Sequence, residues 1–137
     1  MTLPTSFIWC CGCDAAIAAR LTNGAEIYPN RADLSDLPFW KCDNCKNHVG
    51  CHHKTKEPTR PLGNIPTPEL RKARGHIHKV LDPIWRLNIL PRGKVYAEMA
   101  RRLGVKEYHT AELKTVASAR DAYRAVIDLR KSQGMNT

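Results

Sequence analysis

The chain has 137 residues, 42% of them hydrophobic and 7% aromatic, with six cysteines and a formal charge of +9. That length bounds one ordinary domain or two very small ones, whose thin cores would profit from a metal or a partner. No run approaches ~18 apolar residues, which excludes a transmembrane helix, and the opening MTLPTSFIWCCGC lacks the basic start and long apolar stretch of a secretory signal. A reducing cytoplasm is therefore expected, where clustered cysteines are more often metal ligands than disulfides.

The cysteines fall at 10, 11, 13, 42, 45 and 51. Cys10 and Cys13 form one C-x2-C, Cys42 and Cys45 a second, with 28 residues between the pairs. A C-x2-C turn aims two sulfurs at one point, and two such turns complete a zinc tetrahedron with Zn–S near ~2.3 Å. One structural Zn²⁺ on Cys10, Cys13, Cys42 and Cys45 is expected. The spacer AAIAARLTNGAEIYP carries strand-like runs on either side of Asn23-Gly24, a favoured two-residue hairpin turn. LPFWKC enters the second knuckle and NHVGCH leaves it as a third strand, which completes a zinc-ribbon plan.

Five further cysteines and histidines lie close by. Cys11 should point away from the metal. His48 would compete with Cys45 only in a Cys₃His site. Cys51, His52 and His53 lack a second pair of ligands, and Cys51 fits a small buried residue of the third strand. A closed Cys₄ site is structural rather than catalytic, and no nuclease-like Asn and second His follow His52-His53 at a convincing spacing, so no enzyme is expected.

KTKEPTRPLGNIPTP, residues 54–68, has four prolines and reads as an extended connector. The expected organisation is a ribbon over 1–53, a Pro-rich linker over 54–67 and a helical part over 68–137, in all an α+β chain with three helices. The first helix starts at Thr67-Pro68, with Thr67 as N-cap and Glu69 in the first turn. Its apolar stripe is Leu70, Ala73, Ile77, Val80, Leu81 and Ile84, opposite Arg71, Lys72 and Lys79. Asp82-Pro83 should kink or restart it. RGKVYAEMARRLGV predicts a short helix ended by Gly104, with Tyr96, Met99 and Leu103 inward. Residues 109–131 predict a longer helix with Thr110 as N-cap and Leu113, Val116, Tyr123, Val126 and Ile127 on one face. Arg120 and Arg130 fall on that face and Leu129 off it. The pair fits a plain helical hairpin better than a DNA-reading helix-turn-helix, because the turn KEYHT is long and the last helix is not notably basic.

The positive charge is concentrated. Residues 1–51 hold four Lys/Arg against five Asp/Glu, residues 52–106 thirteen against four, and residues 107–137 five against four. A basic middle segment favours a polyanion, usually nucleic acid.

The stretches CCGCDAA, IYP, WKCDNCKNHVGCH, PLGNIPTPELRKAR, HKVLDPIW and YAEMARRLGV, in that order over residues ~10 to ~105, resemble the phage and prophage proteins known as zinc-finger-containing domains. The resemblance implies zinc on the same four cysteines and a shared scaffold that includes VGCH and PLG. The ribbon is also similar to those at the C-terminal ends of type I topoisomerases, which contact single-stranded DNA. The acidic insert NRADLSDLP departs from the compact pattern, so a compact loop's contacts are not carried over there.

Two functions are therefore weighed. The first is an accessory protein that binds nucleic acid through phosphates, with Lys54, Lys56, Arg60, Arg71, Lys72 and Lys79 as the cations. Trp9, Phe39 and Trp40 would stack on bases if exposed, or else cover the metal site. The second is a phage-encoded inhibitor or regulator of a host or defence protein, contacting it through the acidic insert 30–37 and the exposed helix faces.

Overall fold

The computed structural model describes residues 5–136; residues 1–4, which open the segment read above for an export signal, lie outside them. The described chain forms two compact units that divide between Pro68 and Glu69. The α+β class is as the sequence predicts. No helix is long and apolar enough to cross a membrane among the described residues.

The first unit is a four-stranded antiparallel sheet in the order β1-β2-β3-β4, with β1 Thr5–Cys10, β2 Ala15–Asn23, β3 Pro38–Lys41 and β4 His48–Gly50. The first hairpin turns at the Cys10–Cys13 knuckle, where Cys10 lies opposite Ala15. Strand β1, ahead of the first knuckle, was not part of the sequence reading.

Asn23-Gly24 is not a hairpin turn. Asn23 is the N-cap of a short helix, α1 (Gly24–Ile27), and its side chain accepts from the Ala25 and Glu26 backbone N–H groups. Asn is as good a helix cap as a turn residue, so the dipeptide alone does not decide between them. Gly24 is required there for another reason: a Cβ would fall 1.8 Å from the Leu34 carbonyl oxygen.

One face of the sheet is buried. Ile8, Cys10, Ala19, Trp40, Cys42, Val49 and Cys51 pack there together with Ile65. Ile65 comes from the Pro-rich segment, which is not a free connector along its whole length. His52 N–H donates to the Arg60 carbonyl and Leu62 N–H to the Gly50 carbonyl, which covers the rim beyond β4. Ile65 N–H donates to the Trp9 carbonyl, and Cys11 N–H donates back to Ile65, which covers the rim of β1 near the knuckle. Residues 59–65 are thus a strap from one rim of the sheet to the other. Prolines suit such a rim, since they cannot serve both sides of a ladder.

The second unit holds α2 (Pro68–Arg86), α3 (Arg92–Leu103) and α4 (Val116–Ser132). Helix α2 buries Leu70, Arg74, Ile77, Leu81 and Ile84 and runs unbroken through Pro83. Pro83 stands in the last turn, where its missing N–H forfeits a single bond. Helix α3 buries Val95, Met99 and Ala100 and ends at Gly104, which is left-handed at φ 67°. Its C-cap is the one predicted; Tyr96 and Leu103 are half-buried.

Helix α4 begins later than predicted. Thr115 is its N-cap, in a reciprocal capping box with Ser118. Thr110 instead opens a single 3-10 turn and is buried, with its hydroxyl 2.9 Å from the Tyr108 hydroxyl. The buried face of α4 is Ala119, Ala122, Ala125, Val126 and Leu129, while Tyr123 is 39% exposed. The predicted stripe missed this because it weighed large side chains and passed over the alanines. Arg130 reaches from α4 to the Val80 carbonyl of α2 at 2.9 Å.

Candidate metal centre

Each knuckle is a tight turn that ends in a left-handed residue. Asp14 follows Cys13 at φ 53°, and Lys46 follows Cys45 at φ 67°. In the second knuckle, Lys46 N–H donates to the Cys42 carbonyl and Cys42 N–H to the Asn47 carbonyl, both at 2.8 Å. These bonds fold Cys42 and Cys45 back on one another.

The two turns meet. The sulfurs of Cys10, Cys13, Cys42 and Cys45 all lie within 4.8 Å of one another. Cys10 Sγ is 3.2 Å from Cys45 Sγ, and Cys13 Sγ is 3.6 Å from Cys42 Sγ. Sulfurs ~2.3 Å from a tetrahedral zinc stand about 3.8 Å apart, so the spacing and the donor chemistry fit one structural Zn²⁺. Asn44 Nδ2 donates to Cys13 Sγ at 3.2 Å, an outer-shell bond of the kind that orients a ligand and tempers its charge.

The thiols without metal are in conflict. Burial, and then the Cys45 thiol, push the Cys10 thiol well above its ordinary range. Burial also opposes ionisation of Cys42, yet the backbone N–H of Cys45 and the neighbouring thiols outweigh it and bring that pKa down to about 7. Burial raises Cys45. Four sulfurs so close cannot all ionise until a dication shares their charge, which is what zinc supplies.

A charged cluster on the opposite face of the sheet fixes the second knuckle. Arg20 of β2 pairs with Asp43 of the knuckle at 2.9 Å and with Glu26 of α1 at 2.8 Å. Lys41 of β3 adds a contact to Glu26 at 2.7 Å. Arg20, then Lys41 and the Thr22 hydroxyl, hold the Glu26 carboxyl well below the usual range.

The remaining ligand types stay outside the centre. Cys11 Sγ turns away to Asn64 Oδ1 at 3.6 Å. His48 Nε2 lies 3.0 Å from the Tyr28 hydroxyl, in an aromatic cluster with Phe39. Cys51 is buried in the core. His52 and His53 join no group of three or more potential ligands among the described residues.

The sequence-predicted cations divide between the units. Lys54, Lys56 and Arg60 are exposed on the first, Arg60 at 3.8 Å from Glu57. Arg71, Lys72 and Lys79 stand on α2 of the second, Lys72 and Lys79 exposed and Arg71 half-buried. Of the three candidate stacking rings, Trp40 and Phe39 are buried, and Trp40 Nε1 donates to the Thr59 carbonyl at 2.6 Å. They support the strap and the aromatic cluster, so neither is available to a base. Trp9 is half-buried. Sequence reasoning passed over Phe7, which is 79% exposed on the open face of β1. Its place two residues before Trp9, on the same side of a strand, would have marked it had β1 been recognised.

The model of a family described as a zinc-finger-containing domain matches residues 6–129. No curated protein and no solved structure gives a match.

Proposed function

Because the chain belongs to the zinc-finger-containing domain family, we propose that its zinc ribbon and basic helix serve a non-catalytic accessory protein that binds nucleic acid, mainly through phosphates. The observation that carries this reading is the set of exposed cations without acidic partners. Lys54, Lys56, Lys72 and Lys79 enter no ion pair among the described residues. A helix face built for stability alone usually balances such charges at i,i+4. The exposed ring of Phe7 adds a stacking surface that any unpaired base would suit. The motif resemblance supports a phage accessory role, and the free thiol ligands support a reducing cytoplasm as its setting.

Fluorescence anisotropy with short single- and double-stranded oligonucleotides across a salt series tests this. Four to six phosphate contacts should give a log–log salt slope of about −3 to −5. The double variant Lys72→Glu, Lys79→Glu should weaken binding of all sequences alike and flatten the slope. A salt-independent affinity, or no binding at low salt, would sink the reading.

A further inference from the structure

We propose that the groove between α2 and α4 is a docking site for an acidic amphipathic peptide segment of a partner protein. The groove encloses about 300 Å³ within the second unit. Ala73 and Ala119 leave its floor shallow and apolar, and Val116 and the half-exposed Tyr123 wall it. That size, at the lower end for ligand pockets, suits one or two large apolar side chains.

Two cationic rows flank the floor. On α2, Lys72 and Lys79 stand seven residues apart, on the same side of the helix as His76, which lines the groove. On α4, Arg120 and Arg124 stand one turn apart on the lining itself. Arg124 shares Asp121 at 3.8 Å, whereas Lys72, Lys79 and Arg120 have no acidic partner among the described residues. An apolar floor between unpaired cations calls for an occupant that is apolar in the middle and anionic at both margins. A helix with Leu or Phe at i and i+4 and Glu or Asp beside them meets both demands. A nucleic-acid backbone would meet only the second and leave the floor uncovered.

This inference goes beyond the phosphate-binding reading. Lys72 and Lys79 are common to both, but Arg120 belongs to the groove alone. The test is an amide NMR titration of the zinc-loaded full chain with three probes: a Glu-rich helical peptide with Leu anchors, the same peptide with the anchors changed to Ser, and oligothymidylate. The anchored peptide should shift Ala73, His76, Val116, Ala119 and Tyr123. The Ser-substituted peptide should bind about tenfold or more weaker. The variant Arg120→Glu, an exposed change, should weaken the anchored peptide by about the same factor and leave oligothymidylate binding unchanged. Equal binding of the two peptides would overturn the proposal. So would the absence of shifts at the floor, or floor shifts produced by oligothymidylate instead.

Discussion

A methyl group on Gly12 would come within 2.7 Å of Asn47 Nδ2 and 3.3 Å of Cys45 Sγ. A side chain at position 12 would displace the Asn47 amide and press on the Cys45 sulfur, where the first knuckle approaches the second. The four ligands themselves are legible in the sequence, since a doubled C-x2-C implies its own geometry. Gly12 is not, because its constraint comes from Asn47 and Cys45, about 33 to 35 residues away in the chain. A Gly12→Val variant, whose branched side chain cannot be met by a shift of Asn47 alone, should bind zinc about tenfold or more weaker. Competition with a chromophoric chelator measures this; unchanged affinity would show that the knuckles have slack. Phe7 and Ile65 were hidden for the same reason: their exposure or burial is decided by what distant parts of the chain lie against them, not by their neighbours in sequence.

At the scale of elements, local signals held where they were chemically unambiguous. Thr67-Pro68 and Gly104 mark the bounds of α2 and α3 close to where they occur. Signals with two meanings failed: Asn23-Gly24 caps a helix, and of two threonines before α4 the capping one is Thr115. The Pro-rich segment shows the other limit, since the four prolines of residues 54–68 argue against helix but say nothing about which rim the segment lies on. Ile65 is fully buried, so Ile65→Ala should cost the first unit about 2–5 kcal/mol, read from thermal unfolding followed by tryptophan fluorescence. A loss below 1 kcal/mol, roughly that of a surface change, would mean the strap is only laid against the sheet.

In the second unit, burial pushes the Tyr108 hydroxyl up to about 12 from an ordinary 10. A group whose folded pKa is raised gives its full stability below the unfolded value and loses it as pH climbs through the folded one. The helices should therefore weaken between pH 10 and 12, with tyrosinate absorbance rising as helical ellipticity falls. Tyr108→Phe should reduce that alkaline loss while lowering neutral stability by about 1 kcal/mol, because buried Thr110 loses its partner. An alkaline transition identical in both proteins would assign it elsewhere.

At the scale of the whole molecule, metal and helices belong to different units, so they should part on chelation. Removing zinc from the full chain should abolish dispersed amide signals from residues 5–65 and leave those of α2, α3 and α4 in place. Collapse of both sets together would show a single cooperative fold. The division was foreshadowed by the change from cysteine-rich to basic sequence. What composition does not reveal is that the Pro-rich segment before the helices joins the sheet by hydrogen bonds.

The strap also has a mechanical consequence. It ends at Ile65, held to the backbone of Trp9 and Cys11 at the first knuckle, and α2 starts at Pro68. Two residues, 66 and 67, therefore separate that anchor from the first residue of the helix. If the knuckle opens on loss of zinc, the slack grows to the whole stretch after Cys51, with a mean reach of roughly 20 Å. The metal thus sets the leash, and with it the effective concentration at which one unit meets a ligand already held by the other.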